Sequence, residues 1–187
     1  DGPNRQGPFS VDEKADHPVS FYDATKKATE LMAYSSSHLY RFPVTGLRFF
    51  TIYGPWGRPD MAIFLFTKAI LEGTPIKLFN HGKMRRDFTH IDDVSRVVSR
   101  VVDRIPGNAD RAGGAPARVY NVGNQHPEQL MHVVTLLEQA LGREASEGRF
   151  PIQPGGVTEA FAHVGGWMRQ RVVRRVTAWR GGVAVCV

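Results

Sequence analysis

Tyr22 and Lys26 stand four residues apart in Ser20-Phe21-Tyr22-Asp23-Ala24-Thr25-Lys26-Lys27. A helix places residues i and i+4 on one face, so an ammonium there can lie beneath the phenol and stabilise its anion. A free phenol has a pKa of about 10, and a fixed cation a few ångströms away favours deprotonation without a metal. Such a pair can act as a base near neutral pH. The same spacing also occurs in ordinary amphipathic helices, so the surrounding sequence has to decide between the two readings.

Arg58, in Gly57-Arg58-Pro59-Asp60, carries a guanidinium whose geometry suits a bidentate pair with a carboxylate; the alternative is a solvated loop arginine. The histidines, among them His81, His90 and His126, lack paired ligand spacing, and no metal site emerges. No nucleophile elbow or Cys/His arrangement is present.

Positioning these groups requires an α/β framework. Residues 1–18, rich in Pro, Gly and Asp, read as a surface loop. Ser20 with Asp23 three positions on resembles a capping box, and Ala24, Ala28, Leu31 and Met32 supply an apolar stripe to about His38. Val44 to Tyr53 is a β-branched and aromatic run between Pro43 and Gly54-Pro55, which predicts one buried strand feeding a Gly/Pro-rich loop. In open α/β sheets ligands gather beyond the carboxyl ends of strands, where Thr51 to Asp60 would lie.

A helix is expected from about Ala62 to Leu71, stopped by Gly73. Ile76–Phe79, an Asn80–Lys83 turn and Arg85–Thr89 read as a strand, a turn and its strand partner. Asp92 or Asp93 should cap a helix with Val94, Val97, Val98, Val101 and Val102 on one face. A Gly/Ala/Pro-rich linker, Pro106 to Ala117, leads to a strand at Arg118–Val122, and a last clear helix spans about Glu128 to Leu141 before Gly142. No internal repeat is found.

Taken together, Pro8-Phe9-Ser10-Val11-Asp12-Glu13, His17-Pro18-Val19-Ser20, the Tyr22/Lys26 pair, Leu47-Arg48-Phe49-Phe50-Thr51-Ile52-Tyr53-Gly54-Pro55-Trp56-Gly57-Arg58-Pro59-Asp60 and Arg86-Asp87-Phe88-Thr89-His90-Ile91-Asp92-Asp93-Val94 resemble the extended short-chain dehydrogenases that act on nucleotide sugars. Within that family they look most like the UDP-glucuronate 4-epimerases. The resemblance covers roughly residues 8–160, with three motifs in the family's order. It implies NAD as cofactor and a nucleotide sugar, in the first place a UDP-uronate, as substrate, epimerised at C4 through a 4-keto intermediate.

By the same resemblance Tyr22 is the base for the 4-hydroxyl, and Lys26 lowers its pKa and bonds the nicotinamide ribose. Phe49 and Phe50 fall in the segment whose backbone meets the nicotinamide, although strand phenylalanines are also ordinary core. Thr51 matches the residue that touches the sugar nucleotide. The loop of Arg58 looks like the uronate version of its segment. Arg86 matches the arginine that holds the diphosphate, its alternative being a pair with Asp87. Ile76–Phe79 resembles the strand that lies along the uracil. Gly156 stands where the family has a carboxylate for the nucleotide.

The implied fold is α/β, the C-terminal part of a Rossmann-type parallel sheet plus the small substrate-binding domain. No Gly-rich phosphate loop follows a strand in this chain, so the N-terminal dinucleotide-binding half is read as absent, the family's catalytic Ser or Thr with it. The expected division is 1–60, a remnant of the NAD-binding domain; 61–159, mixed segments with the nucleotide-sugar region; and 160–187, an atypical Arg/Gly/Val-rich tail. The abrupt change near residue 160 is what a shift of reading frame would produce.

Composition bounds the rest. With 187 residues the chain can bury a real core. Of the net charge of +6, most comes from five tail arginines, Arg169, Arg171, Arg174, Arg175 and Arg180, which argues against a basic nucleic-acid face on the folded part. A single cysteine, Cys186, allows no internal disulfide and fits a reducing, cytoplasmic setting. No apolar run is long enough to span a bilayer. A homodimer is open for the parent protein, and nothing in the sequence specifies it. Rival readings are a nucleotide-sugar 4,6-dehydratase, disfavoured by the Gly-Arg-Pro-Asp loop, and a non-catalytic remnant.

Overall fold

The computed structural model describes residues 9–12, 16–107, 114–153, 156 and 158–160. Helix α1 (Phe21–Tyr40) starts where Ser20 Oγ accepts the Asp23 N–H at 3.1 Å and stops where Arg41 turns left-handed, φ 58°. A side-chain acceptor at that position satisfies one of the free N–H groups of the first turn. The expected apolar stripe does not face inward. Leu31 and Met32 are exposed, and the half-buried face consists of Ala24, Lys27, Glu30, Ala33 and Ser36, with Ser37 fully buried. These short or flexible-stemmed groups let α1 lie against the strand that follows.

That strand is not the single run expected. It divides into β1 (Val44–Phe49) and β2 (Thr51–Tyr53), interrupted at Phe50. β1 pairs in parallel with β5 (Ala117–Val122), Val44 opposite Ala117 and Phe49 opposite Val122. β2 turns to a different partner, β4 (Arg85–His90), with Thr51 opposite Phe88 and Tyr53 opposite His90. A period-2 pattern reports which faces alternate and not which neighbour a strand will choose, so the switch was invisible in the sequence.

Helix α2 (Ala62–Glu72) ends at Gly73, left-handed at φ 68°, as the glycine indicated. β3 (Ile76–Leu78) is followed by a short 3-10 turn, Phe79–Gly82, in which Asn80 and His81 are both left-handed. The hairpin expected between β3 and β4 does not form. β3 pairs in parallel with β7 (Glu147–Arg149) instead, and the bonds from Phe150 N to Leu78 O and from His81 N to Phe150 O commit its groups to that side.

β4 sits between β2 and the antiparallel β6 (Pro127–Gln129), and its first residues also pair with β8 (Glu159–Ala160). Glu128, expected in a helix, lies in β6 opposite Arg86; helix α4 begins later (Leu130–Leu141) and ends at Gly142. Helix α3 (Ile91–Val102) is capped by His90, whose Nδ1 accepts the Asp92 N–H at 3.3 Å, and not by Asp92 or Asp93. Asp93 turns inward to Arg96 Nη1 at 2.9 Å. Only part of the valine face is covered: Val94 and Val97 are buried, whereas Val98 and Val102 are exposed.

The main core lies between α2, β3, β4 and α4 and contains Phe66, Ile70, Ile76, Leu78, Phe88, Val133, Val134 and Leu137. A smaller one joins α3 to β5 through Val94, Val97 and Val122, with Leu47, Phe50 and Ile52 against it. The tail read as atypical, beyond Ala160, and the residues Gly155 and Val157 lie outside the described residues. No helix among the described residues is long and apolar enough to cross a membrane.

Candidate active site

The first turns of α1 carry Tyr22 and Lys26 on one face. Lys26 Nζ lies over the Tyr22 ring, 5.3 Å from its centroid, and the tyrosine is 65% exposed. Nearly half of Phe49 is open to solvent at the end of β1, and Thr51 opens β2 just beyond the interruption. Of the two readings of these strand aromatics, Phe50 is the core residue, packed against Val94, Val97 and Val122, and Phe49 is not.

Beyond β2 the chain turns at Gly54, φ +127°, where an added Cβ would come within 2.6 Å of Ile91 Cγ2 and 3.1 Å of His90 Nε2. Only glycine passes here without strain. The buried ring of Tyr53 meets His90 edge-on, centroids 5.1 Å apart, and that packing sets the start of the loop that carries Arg58.

Arg58 is gripped by Asp60 two residues on, Nε to Oδ1 at 3.1 Å and Nη2 to Oδ2 at 2.8 Å. The hydrogen bonds it donates to Asp60, followed by that carboxylate's charge, raise the arginine's pKa. Tyr22, Lys26 and Arg58 are all exposed, the first two on α1 and Arg58 in the loop after β2.

Arg86 stands on β4 in the second sheet. It is half-buried, its Nη1 donating to Arg85 O at 2.8 Å and to Thr158 O at 3.2 Å, and burial draws its pKa below the usual arginine value. Its neighbour Asp87 is fully buried and accepts the backbone N–H of Asn124 at 2.6 Å and of Gln125 at 3.0 Å. The carboxylate thereby ties the turn after β5 to β4.

One contributor had no sequence signal of its own. Glu30, a further turn along the face of Tyr22 and Lys26, forms a bidentate pair with Arg48 of β1, 2.6 and 2.8 Å, which fastens the helix to the strand ending in Phe49. Only the i, i+4, i+8 spacing of Tyr22, Lys26 and Glu30 could have pointed to it. Among the described residues no group of three or more His, Cys, Asp or Glu is placed to hold a metal ion.

Parallel strands linked through helices, with an exposed Tyr/Lys pair on the helix that precedes β1, form the arrangement of the extended short-chain dehydrogenases. The profile of the NAD dependent epimerase/dehydratase family matches residues 2–123, and the chain belongs to that family. It is 47% identical over 191 residues to protein CapI of Staphylococcus aureus, covering 97% of this chain and 57% of that protein. It is 44% identical to the probable UDP-glucuronate 4-epimerase of Rhizobium meliloti, covering 86% of this chain and 50% of that one. The solved UDP-glucuronic acid 4-epimerase of Bacillus cereus, in complex with UDP-glucuronic acid and NAD, superposes with a TM-score of 0.81 at 27% identity, over 95% of this chain and 53% of that one. The chain spans about half the length of the curated relatives it matches.

For the cofactor named in the family's description, the exposed Tyr22 and Lys26 carry a hydroxyl and an ammonium that suit a ribose diol. Among the described residues no Gly-rich turn aims a helix N-terminus at a pyrophosphate: α1, α2, α3 and α4 follow Ser20, Met61, His90 and Gln129. These residues fit one end of the dinucleotide.

Proposed function

We propose that this chain supplies the acid–base and substrate-holding part of an NAD-dependent nucleotide-sugar 4-epimerase that interconverts UDP-glucuronate and UDP-galacturonate. The observation that carries the reading is the Tyr22/Lys26 pair on an exposed helix face, with the ammonium over the phenol ring. The Tyr22 oxygen accepts the proton of the sugar 4-hydroxyl as the alcohol is oxidised and returns it when the ketone is reduced from the other face. Lys26, held over the Tyr22 ring, bonds the nicotinamide ribose. NAD, when bound, takes up and gives back the two electrons at C4.

Arg86 holds the diphosphate; the anion offsets the cost of burying the guanidinium. Thr51, at the strand end, contacts the sugar nucleotide, and Arg58 takes the uronate carboxylate. A neutral hexose offers no carboxylate to the edge of that guanidinium that Asp60 leaves open, which favours the uronate. The experiment is Tyr22→Phe in the full-length product of the gene. Turnover is expected to fall by about 10²- to 10⁴-fold, the usual scale for losing a general base, while affinity for UDP-glucuronate stays within about twofold. Undiminished 4-epimerisation by the variant would overturn the assignment.

A further inference from the structure

The pairing of Arg58 with Asp60 is unusual in what it lacks as well as in what it has. Its geometry is bidentate, 3.1 and 2.8 Å, yet the two side chains are 71% and 66% exposed. Exposed ion pairs contribute little to stability, since water screens them and ordering two long side chains costs entropy. A stabilising role is therefore a poor account of it. The pair does complete a closed hook: Met61 N donates to Arg58 O at 3.1 Å, and the carboxylate reaches back across the same turn to the guanidinium.

Asp60 takes the Nε and Nη2 side of the fork. Nη2 has one further contact, Met61 Sδ at 3.7 Å, a weak acceptor that a carboxylate displaces readily. The edge made by Nη1 and the outer hydrogen of Nη2 is thus available for a second planar anion.

Building on the reading of Arg58 as the carboxylate ligand, we infer that Asp60 is a positioning residue that holds the Arg58 fork with its second edge open and so sets the preference for a uronate over a neutral hexose. A free arginine must order several torsions to bind a carboxylate, whereas a fork fixed on one side loses less on binding. The effect should fall on the charged substrate alone.

The test compares affinities for UDP-glucuronate and UDP-glucose, by calorimetry on the full-length protein, in the unmodified form and in Arg58→Gln, Asp60→Ala and Asp60→Glu. Asp60→Ala is expected to weaken UDP-glucuronate by about 2- to 10-fold, the scale of ordering one long side chain, and to leave UDP-glucose and the melting temperature unchanged. Asp60→Glu, which restores a carboxylate, should recover part of the loss. Tighter binding of UDP-glucuronate by Asp60→Ala would mean that Asp60 competes with substrate, and equal weakening of both ligands would make it merely structural; either overturns the inference. Arg58→Gln should abolish the preference. If it does not, or if the unmodified protein shows no preference, the reading of Arg58 itself fails, a result separate from failure at Asp60.

Discussion

At the scale of single residues, the site depends on a few atoms whose neighbours leave little latitude. Gly54 is the clearest case, because the loop bearing Arg58 leaves β2 through a backbone angle that side chains rarely adopt, directly against Ile91 and His90. Gly54→Ala is expected to lower the unfolding free energy by about 1–3 kcal/mol from backbone strain alone, read by urea denaturation. A variant as stable as the parent would show that the loop can leave by another path. His90 shows how a residue set aside as a lone histidine serves the fold: one nitrogen caps α3 while the ring packs on Tyr53.

Among the elements, the decisive one is α1, which presents Tyr22 and Lys26 yet buries little of its own surface. Its hold on β1 relies on Glu30 and Arg48. The hydrogen bond from Arg48, ahead of its charge, lowers the Glu30 pKa below the usual 4.5, so the pair's stabilisation is present above that value and is lost as pH falls through the lower, folded value. Glu30→Gln is expected to cost about 1–2 kcal/mol at neutral pH, read by urea denaturation, and to flatten the pH dependence of stability below pH 4.5. An unchanged acid profile would rule out the clamp. Asp87 does comparable work for β4, drawing two backbone N–H groups of the turn after β5 onto a buried carboxylate beside Arg86.

Over the whole molecule, the core and the candidate site occupy different places. The well-packed cluster lies among α2, β3, β4 and α4, far better buried than the helix and the strand that carry Tyr22 and Phe49. Among the described residues β1 pairs with β5 alone, and Phe21, Leu39, Tyr40 and Phe49 stay exposed around it. Among the described residues no Gly-rich turn leads into a helix, and such turns supply much of a dinucleotide's binding through its phosphates. The 187-residue chain on its own is therefore expected to show no micromolar NAD affinity; a calorimetric titration that saturates in that range would contradict this.

The helix ends at Gly73 and Gly142, the cap at Ser20 and the pairing of Tyr22 with Lys26 were legible in the chain itself, because each is settled by residues within a turn or two of one another. The family resemblance was legible for the same reason, being carried by short contiguous strings. What only the folded molecule decided were choices between distant partners: β3 taking β7 over β4, the Val44–Tyr53 run dividing its allegiance at Phe50, and Glu30 finding Arg48. Alternation and propensity describe a segment's own faces, whereas pairing depends on which surfaces the rest of the chain brings within hydrogen-bonding distance.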